Sequence, residues 1–419
     1  MNGRANVPSR AVSGERPRRV LVLNQYAAPD TTPSAHYVSS VAQALAQAGM
    51  DVTVLAGEPS YGEGTVPAPL HELRDGVTIR RLRMGSWRGR GSKAKRFGGY
   101  LRYLAGAFLV GRRIVRADPP DVLMCFSNPP LVPLVARLLA RTSGARMVYV
   151  IHDIHPDILL ATDWMSLPWP VVQAWNLLNR VMLNAASAVV VLGDGMKQLL
   201  VSTKGLARER VHVIPLWAEP ELRPADRDEE LRAELGVAED ELLVLSTGNL
   251  GVMHSLEPVV EAARRLRDRP VRFVFVASGV RLDYWRSRFA GLANVSFVPY
   301  RRGEAFSRLV AACDAGLVPL SPGMERFAVP SRAYTFLSAG RPLLTIMDPK
   351  ADVARMASEG GCGFNATCGE DVADWVEHNL ANRAALQVAG ERAHEVYEAR
   401  FARDRVLDRY VALCAQAGA

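Results

Sequence analysis

Val20-Leu-Val-Leu-Asn24, then Gln25 through Ala48, then Asp51-Val-Thr-Val-Leu-Ala56: these residues decide the fold. The first and last runs are apolar and β-branched enough for buried strands, and the segment between them carries a loop to Ser34 and a helix over residues 35–48 that Gly49 stops. Strand, helix and strand in so short a span make a βαβ unit, which commits the N-terminal half to a parallel sheet. The loop at the strand's carboxyl end then faces a ligand. Working outward, further strands are expected at residues 77–82, 122–126, 147–151, 188–192 and 211–215, with helices at 131–141, 171–184 and from 194.

The same pattern restarts at Glu241-Leu-Leu-Val-Leu-Ser-Thr-Gly248, where a strand runs into the loop Gly248-Asn-Leu-Gly-Val-Met-His254 and a helix over residues 256–267. Strands at 271–278, 295–299, 315–320 and 343–346 continue it. Polar, Pro-containing residues 220–227 mark the crossover. The expected fold class is α/β, with two Rossmann-like parallel-sheet domains facing a cleft. Residues 1–17, rich in Pro, Arg, Gly and Ser, form a disordered tail; residues 18–218 form the first domain and residues 219–395 the second. Residues 396–419 hold a final helix whose Val406, Leu407, Tyr410, Val411 and Cys414 fall at helical spacing, which suits packing back on the first domain.

Size agrees with two domains, since 419 residues exceed what one core supports. No run of apolar residues is long enough to span a bilayer, and the N-terminus has no signal-peptide core, so a cytoplasmic location is expected. Five scattered cysteines without metal spacing read as free thiols. The net charge of +8 is concentrated: residues 80–117 hold twelve Lys and Arg and no Asp or Glu. Trp87, Phe97, Tyr100, Tyr103, Leu104, Phe108 and Leu109 are interleaved with them. A segment both basic and amphipathic suits an anionic membrane surface. A solvated helix face and a nucleic-acid patch are the competing readings, and no nucleic-acid motif accompanies the charge.

A second stretch carries the chemistry: Gly323-Met-Glu-Arg-Phe-Ala-Val-Pro-Ser-Arg-Ala-Tyr-Thr-Phe-Leu-Ser-Ala-Gly-Arg-Pro342. Pro330 and the N-cap candidate Ser331 open a short helix that Gly340 and Pro342 close. Arg332 in its first turn opposes the helix dipole, so a bound phosphate explains it better than the helix does; a solvated surface Arg is the plain alternative. The run Val329-Pro-Ser-Arg-Ala-Tyr with Leu337-Ser-Ala-Gly-Arg-Pro342 resembles the nucleotide-sugar site of family 4 glycosyltransferases, in the branch that assembles bacterial exopolysaccharide, capsule and O-antigen units.

That resemblance implies a GT-B fold and a retaining, metal-independent hexosyltransferase with no cofactor. The basic apolar segment suggests an acceptor held at the inner face of the cytoplasmic membrane, most simply a polyprenyl-diphosphate-linked saccharide, and the resemblance implies a nucleotide-sugar donor, with UDP the first expectation. It assigns His152, in Ile151-His-Asp-Ile-His-Pro-Asp157, to the donor sugar, with Asp153 beside it as a further catalytic candidate. Arg332, the amides of Ser331 and Gly251, and His254 would hold the diphosphate, with Gly248 and Asn249 in the same turn. Tyr300 and Arg301 would frame the nucleobase; Glu325, Tyr334 and Thr335 complete the donor side, and Tyr26, Ser34 and His155 lie on the acceptor side.

Several positions depart from the family's pattern. Thr31-Thr-Pro-Ser34 replaces a Gly pair, Asn249 stands where Arg is common, His254 where Lys is usual, and Thr335 where a Glu normally meets the ribose. A sugar-nucleotide epimerase on the same fold, or a membrane- or polyanion-binding protein that has lost activity, are the rival readings. A dinucleotide-dependent oxidoreductase is disfavoured because no Gly-x-Gly-x-x-Gly follows either opening strand. Asp226-Arg-Asp228 looks like a metal motif, yet it opens an acidic helix start where carboxylates are favoured anyway.

Overall fold

The computed structural model describes residues 16–59, 68–85, 93–162 and 168–416. Most of the expected N-terminal tail, and residues 86–92 of the basic segment, lie outside the described residues.

The opening motif forms as read. β1 (Arg19–Leu23) and β2 (Asp51–Gly57) pair in parallel, with Val20 opposite Val52 and Val22 opposite Val54. The helix between them, Pro33–Gln47, begins two residues early because the Thr32 hydroxyl accepts the Ala35 N–H at 3.1 Å and Pro33 fits the first turn. β3 (His71–Arg74) and β4 (Val77–Leu82) then form an antiparallel hairpin through Asp75 and Gly76, both at positive φ. With β5 (Val122–Phe126), β6 (Arg146–Val150), β7 (Ala188–Val191) and β8 (Val211–Val213) they build an eight-stranded sheet of order β3-β4-β2-β1-β5-β6-β7-β8.

The second sheet is parallel throughout: β9 (Leu242–Asn249), β10 (Val271–Ser278), β11 (Val295–Val298), β12 (Ala315–Pro319), β13 (Leu343–Ile346) and β14 (Gly363–Ala366), in the order β11-β10-β9-β12-β13-β14. Its strand order reverses between β9 and β12, so the loops leaving those two strands open a ligand crevice at their carboxyl ends. Leu242, Val244, Phe273, Phe275 and Leu317 are fully buried beneath flanking helices, which is what a near-continuous apolar strand requires.

By contact density the chain divides into two compact units, one through residue 124 with residues 139–146, the other of residues 125–138 and 147–416. Every candidate site residue except Tyr26 and Ser34 falls in the second. Within it, the helices Arg383–Arg400 and Arg403–Gln416 pack on β8 and the segment that follows it: Tyr397 Oη accepts the Ala218 N–H at 3.2 Å, and Arg409 donates to the Val213 carbonyl. Two close approaches seat the Arg332–Ser338 helix. A Cβ on Gly316 of β12 would lie 2.1 Å from Phe336, and one on Gly390 would lie 2.4 Å from the Gly340 carbonyl. Glycine at both places lets the helix press against the sheet below and the C-terminal helix above.

Candidate functional site

The two loops at the reversal of the second sheet meet through Arg332. Its Nη2 donates to the Asn249 carbonyl at 3.1 Å and lies 3.1 Å from His254 Nε2. Its Nη1 is buried and makes no hydrogen bond among the described residues. Gly248, at φ 103°, passes beneath the guanidinium, where an added Cβ would sit 3.6 Å from Nη2. Burial lowers the Arg332 pKa to about 10, which still leaves it cationic at neutral pH. His254, 8% exposed, is pushed down to about 3 by burial and then by the neighbouring guanidinium, so its ring is neutral.

The loop Gly248–His254 is fixed by backbone bonds, Leu250 N–H to the Ser278 carbonyl at 2.7 Å and Ser321 N–H to the Met253 carbonyl at 2.8 Å. Gly279 is the unlooked-for residue here. The Asn249 side-chain oxygen lies over it, 2.2 Å from where a Cβ would stand. No short motif marks Gly279 in the sequence.

On the other wall, His152 leaves the end of β6. Its N–H donates to Ser127 Oγ at 3.1 Å and its ring meets Phe126 edge-on, with centroids 5.7 Å apart. Burial lowers its pKa while the Asp153 carboxylate opposes the shift. His155 is placed differently from an open acceptor contact: it stacks on Trp175, with centroids 6.3 Å apart, and its carbonyl accepts Asn179 Nδ2 at 2.8 Å. The His152 loop joins the loop of residues 323–331 directly, Ile154 N–H donating to the Phe327 carbonyl at 3.2 Å. Glu325 stands in that second loop with Oε2 buried and without a hydrogen-bond partner among the described residues. Its carbonyl presses on Gly195, at the start of the Asp194–Ser202 helix.

Two expected details differ. Ser331 occupies the N-cap, but its side chain caps nothing and its backbone is already helical, and the helix it opens has only seven residues. Side chains, Arg332 above all, carry the positive potential there. Tyr334 is turned into the core, 3% exposed and against Phe401 with ring centroids 5.0 Å apart, so the structure does not bring it to the crevice. Thr335 is half-buried on the same helix. Tyr300 is 45% exposed beyond β11, its ring 6.1 Å from that of Phe306, and Arg301 is half-buried next to it. In the first unit, Asn24 Nδ2 donates to the Tyr26 carbonyl at 2.6 Å and to Ser34 Oγ at 3.2 Å, tying both to the loop after β1. Asp228 caps the Glu229–Glu234 helix through Leu231 N–H at 2.9 Å and pairs with Arg308 at 2.7 Å, as expected of a helix start.

Residues 34–217 match the glycosyl transferase 4-like domain. The chain is 26% identical over 273 residues to the probable glycosyltransferase WbjE of Pseudomonas aeruginosa, covering 64% of this chain and 68% of that protein. It is 27% identical over 351 residues to WcaI of Escherichia coli K12, a putative colanic acid biosynthesis glycosyl transferase, covering 77% and 81% respectively. Among solved structures, HepE of Anabaena in complex with UDP superposes with a TM-score of 0.67 at 16% identity, over 95% of this chain and all of that one. The two-sheet architecture is that of the GT-B glycosyltransferases.

Proposed function

We propose that this GT-B glycosyltransferase of the cell-surface polysaccharide type moves a sugar from a UDP-sugar to a lipid-linked saccharide, with retention at the anomeric carbon. The observation that carries the reading is Arg332, a half-buried arginine held between the loops after β9 and β12, whose Nη1 is buried and unpaired among the described residues. A cation so placed needs an anion, and a diphosphate is the anion that a crevice at the strand-order reversal of a parallel sheet accommodates. UDP in the HepE complex favours a uridine donor. The colanic acid and WbjE relatives favour a surface polysaccharide as the product.

In this reading the chain's own groups act electrostatically. Arg332 holds the negative charge that builds on the departing diphosphate, and backbone N–H groups of the Gly248–His254 loop assist it. His152, neutral at the end of β6, steadies the sugar, and Asp153 faces the oxocarbenium-like charge beside it. The acceptor oxygen attacks the anomeric carbon on the face from which the diphosphate departs, and the departing phosphate takes its proton, so no side chain serves as nucleophile or base. No metal or cofactor is required by this scheme, and the acceptor's lipid holds the enzyme at the inner membrane face.

Calorimetric titration with UDP, GDP and ADP tests the reading. Micromolar binding of UDP, about 8 kcal/mol, that is lost in Arg332→Ala supports it. Preference for GDP or ADP would change the donor class, and the absence of binding to all three would favour a protein that has lost transferase activity.

A further inference from the structure

We propose that His254 is a positioning residue that acts through Arg332, as a neutral acceptor that aims the guanidinium, and not as a second cation on the diphosphate. The inference rests on the donor-site reading above and adds a role for one side chain in it. Arginine has five N–H donors and no acceptor, so the 3.1 Å contact between Arg332 Nη2 and His254 Nε2 fixes which partner gives the proton. Nε2 must present its lone pair. A neutral imidazole then carries its hydrogen on Nδ1, and the tautomer is set by the contact itself.

The surroundings make this arrangement specific. Among the described residues Arg332 is the charged group that acts on the ring, and no carboxylate offsets it. The Asn249 carbonyl, 3.1 Å from the same Nη2, is the other acceptor, so Nη2 is saturated by one loop while Nη1 stays free for ligand. His254 Nδ1 is buried without a close hydrogen-bond partner among the described residues, and the backbone of Gly251 is the neighbour that favours its charged form; an added Cβ there would lie 4.0 Å from Nδ1. The N–H assigned to Nδ1 is thus a second donor, without charge, presented to the Gly251 turn. A lysine at this position would set two cations against each other in a buried site and turn Arg332 away from its aim. The separation of 78 residues between the partners explains why neither reports the other in the sequence.

The test uses the full chain with UDP as probe, comparing His254→Gln, His254→Ala and His254→Lys by calorimetry, together with ¹⁵N NMR of the imidazole in the wild type. Glutamine offers an amide oxygen to Arg332 and should hold UDP affinity within about threefold, whereas alanine should lose about tenfold. Lysine should bind no better than alanine despite its added charge, an order that a plain electrostatic role reverses. The NMR spectrum should show hydrogen on Nδ1 and a bare Nε2 down to pH 5. Tighter binding by the lysine variant than by wild type, or hydrogen on Nε2, overturns the proposal. If wild type binds no nucleotide while the ring shows the expected tautomer, the donor-site reading falls and the histidine–arginine contact stands as structural only, which also ends the proposal.

Discussion

The backbone N–H of Ile154 donates to the carbonyl of Phe327 at 3.2 Å, so the loop that carries His152 is tied to the loop that leads into Arg332. A second tie lies beside it: Asp352 Oδ2 accepts the Gly195 N–H at 3.3 Å at the start of the Asp194–Ser202 helix. Gly193 makes this approach possible, because a Cβ there would stand 2.4 Å from Asp352 Oδ2 and 3.0 Å from Val329 Cγ2. Gly193→Ala should therefore push the start of the Asp194–Ser202 helix away from Asp352 and from Val329 in the loop that leads into Arg332, at a strain of about 1–3 kcal/mol. The expected outcome is a fall in kcat/KM of about tenfold or more with the far-ultraviolet circular dichroism unchanged. Wild-type kinetics in that variant would show that the approach does not matter to the reaction.

Arg332 is the sharpest single test of the site. In the proposed donor site the guanidinium meets the diphosphate most strongly as the glycosidic bond breaks, so Arg332→Ala should lower kcat/KM about a hundredfold, equivalent to about 2.7 kcal/mol. Arg332→Lys should recover only part of this. One ammonium cannot reproduce a planar fork that engages Asn249 and His254 through Nη2 while Nη1 stays directed elsewhere. Equal rates in the lysine and wild-type proteins would reduce Arg332 to a point charge.

His254 also makes stability depend on pH. Its pKa falls from about 6.5 in the unfolded chain to about 3 in the folded one, so between those values the unfolded state binds the extra proton. Stability from this group is complete above pH 6.5 and declines as pH falls toward 3, by up to about 1.4 kcal/mol per unit. His152 and His155, also shifted down by burial, contribute in the same direction, so the comparison must be with a variant. Urea midpoints at pH 7.5 and 4.5 should show wild type losing about 2 kcal/mol more than His254→Gln. Parallel losses would mean that His254 protonates freely in the folded protein.

What the sequence revealed, and what it hid, follows from the range of the interactions. β1, the Pro33–Gln47 helix and β2 were legible because their pattern is local and their apolar faces are continuous. The Arg332–Ser338 helix was legible because Gly340 ends it at positive φ. The β3–β4 hairpin has its local signal in Asp75-Gly76, two residues that suit the positive φ of the turn. Tyr334 cannot be placed from its local sequence, since its burial depends on Phe401, the residue that ends the Arg383–Arg400 helix. Gly193, Gly195 and Gly279 look like ordinary loop glycines until their partners Asp352, Glu325 and Asn249 are brought against them. Arg232, 1% exposed, is another long-range case: it joins Asp314 at 3.0 Å and the Ala312 carbonyl at 3.0 Å, partners eighty residues away.

The basic helix, Lys93–Ala117, supports the remaining prediction. Phe97, Leu101 and Leu109 are 62%, 50% and 60% exposed, Ala105 lies between them on the same face, and Arg112, Arg113 and Arg116 are exposed toward its end. The opposite face is anchored, with Tyr103 buried and its hydroxyl donating to the Leu55 carbonyl at 2.8 Å. Its sequence has no acidic residue to repel a phosphate surface. An exposed apolar stripe continued by arginines lies well in the plane of an anionic interface, where charge draws the helix in and the stripe holds it. Leu101→Glu with Leu109→Glu should abolish flotation with phosphatidylglycerol vesicles, and Arg112→Gln with Arg113→Gln should weaken it in a salt-dependent way. UDP affinity should be unchanged in both, because neither pair belongs to the donor crevice. Flotation that persists in the glutamate variant would assign membrane attachment to another surface or to the acceptor lipid alone.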